Sequence, residues 1–442
     1  MISDQHFIPH GGIGQFAKGF TEMCDRIGWK VDVLLDKTPT NEFAKVVEGL
    51  GANIIWPDES LRYSDHTATF SFSDSINFEK VINFRKSLLK AFEENIYDLV
   101  MCNTQEAMSA AYAMGISRYI PVMFYTHLHS MIFRKAQNFS DVFIEAYHNF
   151  YNKHMEFPDI YIGTQSQKNI AELESNGAAN CVLLRMPMSE RGLLEQNLGA
   201  REGVLFIGRW EDGKNPEAYL KAIEESGLPA RVMTNESGAK KFEAKFKAAG
   251  ITNYVIKAGI VGQEKVDFIK GCKVFFMPSL RENYPFAFIE CLGHMPCVVL
   301  DKQDWSDNFD SKYYIKTTVA NAANTLSETY STAQPDKQTA ALAYVRKLDA
   351  DTAMGWMRFM NTFEGVKSKS NAAKINTYNT VIYKNYIKEL ERTHLAREDF
   401  ESVLTNTHKF RVIYTDSNTH LSKDPAYEPI EEETGANLFA GL

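Results

Sequence analysis

Short apolar runs alternate along this chain with stretches of helical periodicity, a pattern that restricts the fold to parallel sheets covered by helices. In the first half the predicted strands are ISDQHF, KVDVLL, NIIW, YDLVMCN, VMFYTH and DIYIGT. Between them lie the helical stretches IGQFAKGFTEMCDRIG, NEFAKVVEGLG, FEKVINFRKSLLKAFEEN, EAMSAAYAMG and VFIEAYHNFYNKHM. A polar, apolar-poor segment over 186–202 breaks the alternation and marks a linker. The pattern then resumes with strands VLFIG, ARVMT, NYVIKAG, KVFFMPS and PCVVLD, separated by NPEAYLKAIEES, AKKFEAKFKAAG, EKVDFIKGC and PFAFIECLGH. The expected class is α/β with two doubly wound halves, 1–185 and 203–350, followed by helices and an acidic tail over 351–442.

A chain of 442 residues with 44% apolar content can bury two cores. Its net charge of −8 supplies no global basic field, which counts against sequence-blind binding to nucleic acid or anionic membrane and leaves a local basic patch open. Cys24, Cys102, Cys181, Cys272, Cys291 and Cys297 include no C-x-x-C pair and fall mostly in apolar runs. They are expected to be reduced and buried, in a cytoplasmic protein. Neither a secretory leader nor an apolar stretch of membrane-spanning length is legible, so the expectation is a soluble chain. In FRKSLLKAF, Phe84, Leu88 and Phe92 share one side, which reads as an ordinary sheet-covering helix ahead of a membrane-surface one.

Ligands of open α/β sheets bind beyond the carboxyl ends of the strands, so the loops there carry the chemistry. The first holds Gly11, Gly12 and Gly14 before a helical pattern, where bare backbone N–H groups can close on an anion; a purely structural tight turn fits equally well, and the dinucleotide spacing is absent. The second holds Arg209 and Lys214 after VLFIG. A planar fork and a point charge there can converge on a diphosphate, while two solvated charges beside a Glu-Asp turn is the plainer alternative. The third is SLRENYPFAFIE, in which Pro285 should open a helix, Glu282 precedes it and Glu290 lies inside it. Both carboxylates suit the diols of ribose and hexose; alternatively Glu282 only favours the helix dipole and Glu290 is an exposed face residue. The fourth places His127 and His129 on one face at a strand end, which suits a hydrogen-bonding residue better than a metal site. Asp349 and Asp351 sit among helical residues and read as capping.

The order of PHGGIG, LFIGRWEDGKNP and YVIKAGIVGQEKVDFIKGCKVFFMPSLRENYPFAFIECLGHMPCVV resembles the retaining, nucleotide-sugar-dependent glycosyltransferases of the GT-B fold, the group that includes sucrose and glycogen synthases. The likeness covers most of 203–301 and, in the first half, only the glycine loop and the histidine strand end. It implies two Rossmann-like domains facing a cleft, with C-terminal helices crossing back to the first. It implies that Arg209 and Lys214 hold the donor diphosphate with backbone N–H groups of Asn283, Tyr284, Pro285's neighbours and Phe286; Pro285 itself has none. Glu290 would take the ribose, Glu282 the transferred sugar, and the main chain near Ile260 the base. His127 would line the sugar pocket, and Gly12 would approach the phosphate or the acceptor. It implies no metal or other cofactor, and a UDP-sugar ahead of a GDP- or ADP-sugar. NYPFA is bulkier than the family's usual loop. The acceptor expected is 5-hydroxymethylcytosine in DNA, as for phage enzymes of this fold acting in the host cytoplasm. A cell-surface glycan or glycolipid is the second reading, and a non-catalytic nucleotide-sugar binder the third.

Overall fold

The computed structural model describes residues 2–3, 12–35, 43–57, 83–126 and 160–362, with single residues or short runs left out of the last two stretches, 281 and 283 among them. The expected helix at 142–155, His127, His129 and the chain beyond 362 lie outside the described residues. Among the described residues thirteen strands form two sheets in which every pairing is parallel.

The first sheet comprises β1 (Ile2–Ser3), β2 (Val31–Leu35), β3 (Ala52–Ile55), β4 (Val100–Cys102), β5 (Val122–Tyr125), β6 (Ile160–Thr164) and β7 (Cys181–Leu183), in the order β3-β2-β1-β4-β5-β6-β7. The second comprises β8 (Val204–Ile207), β9 (Ala230–Thr234), β10 (Tyr254–Ala258), β11 (Val274–Met277), β12 (Cys297–Leu300) and β13 (Tyr314–Thr317), in the order β10-β9-β8-β11-β12-β13. Each sheet grows outward from its first strand in one direction and then reverses, which puts a switch point between β1 and β4 and another between β8 and β11. Among the described residues the connecting helices include α1 (Gly12–Arg26), α2 (Phe43–Gly49), α3 (Gln167–Ser175), α4 (Pro216–Ser226), α5 (Glu236–Ala248), α6 (Gly262–Lys270), α7 (Phe286–Leu292) and α8 (Ala322–Ser331), and α9 (Pro335–Asn361) ends the described chain.

Strand alternation divides the second half into two layers. Val274 and Phe276 join Tyr219, Phe242, Phe246 and Leu326 on one face. Phe275 and Met277 turn to the other, where they meet Val266, Phe288 and Leu292 in a cluster that continues into the first half through Phe16, Met101 and Tyr125. Phe84, Leu88 and Phe92 are fully buried, and Ser87 donates to the Leu35 carbonyl at 2.7 Å. That segment therefore covers its own sheet, as its periodicity predicts.

Two features tie the halves together. Gly19 of α1 backs onto the crossing segment so closely that a Cβ there would stand 2.7 Å from the Pro187 carbonyl oxygen, so only glycine fits. Helix α9 then returns to the first sheet: Trp356 is buried against Phe20 and Tyr125, with ring centroids 4.8 and 5.7 Å away, and its indole donates to the Arg185 carbonyl at 3.0 Å. Asp349 does not cap anything. It lies inside α9, accepts from the Met188 N–H at 3.3 Å and pairs with Arg191 and Arg26, so it anchors the crossing segment.

Candidate functional site

The switch point of the second sheet brings together two of the four loops that the sequence singles out, those after β8 and β11. After β8 the chain passes Gly208 and Arg209, makes a 3₁₀ turn over Asp212–Lys214 and enters α4 through Asn215. Asn215 adopts φ 53°, a left-handed conformation that asparagine tolerates better than most side chains. Its amide donates to the Pro278 carbonyl at 3.3 Å, and the Leu280 N–H donates to the Gly213 carbonyl at 2.8 Å. These bonds stitch the loop after β8 to the loop after β11. Above them Lys214 Nζ lies 2.5 Å from Glu282 Oε1, with side chains 25% and 11% exposed. A Cβ at Gly208 would meet Lys214 Cγ at 3.3 Å, so the lysine stem lies across the strand end.

Arg209 sits at that strand end but its side chain is 69% exposed and pairs with Glu211 at 3.1 Å. The two cations thus share one loop, and only Lys214 turns toward the loop after β11.

Helix α7 starts at Phe286, one residue later than expected, with Pro285 in extended geometry at the cap. Glu290 is its fifth residue. It is not the exposed face residue of the plainer reading: it is 3% exposed, and its Oε1 lies 2.5 Å from Lys265 Nζ of α6. Tyr284 is also buried, 5.4 Å from the Phe309 ring, and burial pushes its phenol pKa up. Phe286 is partly buried against the same core. Ile260 follows Gly259 (φ 63°) beyond β10 and precedes Gly262 (φ 60°), and its side chain packs on the core. Gly12 is the first residue of α1. Asn283 and His127 lie outside the described residues.

Sequence reasoning missed a polar spine linking α1 to α6 and α7. Lys18 pairs with buried Glu190 at 2.7 Å, and Glu190 accepts from the Gly262 N–H at 3.3 Å. Ser189 Oγ lies 2.5 Å from Gln15 Oε1 and 3.5 Å from Glu290 Oε1. In a polar linker such residues look merely solvated, and nothing in their spacing marks them. Among the described residues no three His, Cys, Asp or Glu side chains group as metal ligands, and no helix is long and apolar enough to cross a membrane. The cysteines are free, and burial pushes the thiols of Cys24, Cys102 and Cys272 up to about 12.

Two parallel, doubly wound sheets, each reversing at its first strand, joined by one crossing segment and tied by a returning helix, make up the GT-B fold. Solved structures of glycosyltransferases share it. HepE from Anabaena, crystallised with UDP and glucose, matches at TM-score 0.59 and 12% identity over 82% of this chain and 98% of its own. Sucrose-phosphate synthase from Thermosynechococcus elongatus matches at 0.57 and 14% over 91% and 98%. WaaG, a glycosyltransferase of lipopolysaccharide biosynthesis, matches at 0.54 and 12% over 83% and 100%. At such identities the likeness is one of fold. No family model and no curated protein matches the chain.

Proposed function

We propose that the chain is a retaining glycosyltransferase that moves a sugar from a nucleoside-diphosphate sugar, UDP ahead of GDP or ADP, to an acceptor hydroxyl. The observation that carries this reading is the Lys214–Glu282 pair at the switch point of the second sheet, with Glu290 on the helix that follows. Breaking the anomeric C–O bond builds negative charge on the departing diphosphate and positive charge on the sugar. A site for that reaction must hold the first and keep water from the second. An incoming diphosphate would take the Lys214 ammonium, with Arg209 swinging in from the surface, and would release the Glu282 carboxylate to accept hydroxyls of the transferred sugar.

Glu290 would bind the ribose diol, the main chain at Ile260 the base, and the main-chain N–H groups of Asn283, Tyr284 and Phe286 the phosphates. His127 and the Gly12 loop would face them from the first half. Retention follows if the acceptor oxygen attacks the face that the diphosphate leaves: the new C–O bond forms as the old one breaks, and the acceptor proton passes to a phosphate oxygen. That route calls on no metal. The division proposed is 1–185 for the acceptor, 186–202 as linker, 203–350 for the nucleotide-sugar donor and 351–442 as C-terminal helices and tail.

The acceptor proposed is 5-hydroxymethylcytosine in DNA, on the resemblance to phage enzymes of this fold; the net charge of −8 then requires a local contact with the duplex. The second reading is a cell-surface glycan or glycolipid, the setting in which WaaG, a glycosyltransferase of the same fold, is involved. Labelled UDP-, GDP- and ADP-sugars incubated with hydroxymethylcytosine DNA, plain DNA and a lipid extract separate them. Label confined to hydroxymethylated DNA supports the first; label in lipid with none in DNA overturns it. Ligand-induced melting shifts without released or transferred sugar would leave a non-catalytic binder.

A further inference from the structure

Lys265 occupies a place that disfavours a cation. It is the fourth residue of α6, near the positive end of the helix dipole, and its side chain is only 8% exposed. Both penalties are offset by Glu290, whose Oε1 lies 2.5 Å from the ammonium. Ser189 also approaches Oε1, at 3.5 Å, but it lies 2.5 Å from Gln15, and a hydroxyl has a single proton to give. Lys265 is therefore the group that fixes Glu290.

We infer that Lys265 is a positioning residue for the donor: it holds Oε1 of Glu290 so that Oε2 is the oxygen offered to the ribose diol. This rests on the assignment of Glu290 to the ribose. A buried carboxylate without a cation is strongly unfavourable, so Lys265 also compensates the charge that makes Glu290 an acceptor for two hydroxyls. The two residues are 25 positions apart on different helices, and α6 begins just after Ile260, so one element would serve base and ribose together.

The test is calorimetric binding of UDP, GDP and ADP, each against its 2′,3′-dideoxy counterpart. The wild-type protein should prefer the ribonucleotide by about tenfold for each hydroxyl bonded to a charged group. Lys265→Arg keeps the charge and should keep that ratio. Lys265→Met, and Lys265→Gln with its neutral donor to preserve folding, should reduce it to below about threefold, while affinity for pyrophosphate stays unchanged. Folding is verified by near-ultraviolet circular dichroism. A folded Lys265→Gln protein with a lower melting temperature and the wild-type ratio would mean that the lysine is only structural, and would overturn the inference. A wild-type protein that does not distinguish the paired nucleotides would instead overturn the assignment of Glu290.

Discussion

Replacing Lys214 by alanine separates a catalytic role from a structural one, because the structure gives the two very different magnitudes. The Lys214–Glu282 pair is largely buried, so its loss costs somewhat more than the ~0.2–1 kcal/mol of an exposed pair and less than that of a fully buried one. The loop is also held by the Leu280 N–H on the Gly213 carbonyl and by Asn215 on Pro278, neither of which the substitution touches. Unfolding free energy should therefore fall by about 1–2 kcal/mol. Turnover should fall far more. A donor placed to stabilise charge that develops in the transition state is worth about 10²–10³ in kcat, or roughly 3–4 kcal/mol. Urea denaturation followed by circular dichroism measures the first quantity. Release of nucleoside diphosphate at saturating donor and acceptor measures the second. Wild-type turnover in Lys214→Ala would refute the diphosphate assignment, and so would a loss of activity no larger than the loss of folded protein.

Arg209→Ala should also lower turnover with little change in melting temperature, since the side chain is largely exposed; unchanged turnover would remove it from the site. Glu290→Ala should both weaken nucleotide-sugar binding and destabilise the protein by about 3–5 kcal/mol, because it leaves Lys265 buried and unpaired. Glu290→Gln is the gentler probe, and isothermal titration of each folded variant reads the donor affinity. Burial lowers the His294 imidazole pKa from 6.5 to about 4, so as the pH falls the unfolded chain takes up that proton first. Stability should decline between pH 6.5 and about 4, by at most about 3 kcal/mol from this group. His294→Gln should flatten that part of the stability profile. Trp356→Ala should cost about 3–5 kcal/mol in chemical denaturation, since the ring is fully buried between α1 and the first sheet.

Strands buried on both faces, such as Val274–Met277 and Cys297–Leu300, are legible because an unbroken apolar run leaves little alternative, and the half-buried edge strand Tyr254–Ala258 is legible from its β-branched and aromatic run. Strands β7 and β13, which end their sheets, escaped notice: Cys181–Leu183 is half-buried throughout and Tyr314–Thr317 carries Lys316, so neither shows such a run. Helices α3 and α8 go unread because apolar residues are sparse among charged and polar ones; the first half of α9 goes unread although Ala340, Ala341, Leu342, Ala343, Tyr344 and Val345 form an apolar run. At the site, the loops after β8 and β11 could be found because strand ends locate ligand loops whatever the side chains do. The orientation of Arg209, the burial of Glu290 and the involvement of Lys265 could not. Each depends on a neighbour that tertiary packing supplies, and a lysine in EKVDFIK has no local mark that distinguishes it from a solvated one.

The return of Trp356 to the first sheet also bears on how the chain is made. The pocket formed by Phe16, Phe20 and Tyr125 is synthesised early, yet the side chain that fills it emerges from the ribosome more than two hundred residues after Tyr125. A nascent first half would therefore carry an uncovered aromatic face until translation has passed α9. Fragments truncated before that helix should need chaperone assistance or precipitate, whereas the full chain should not.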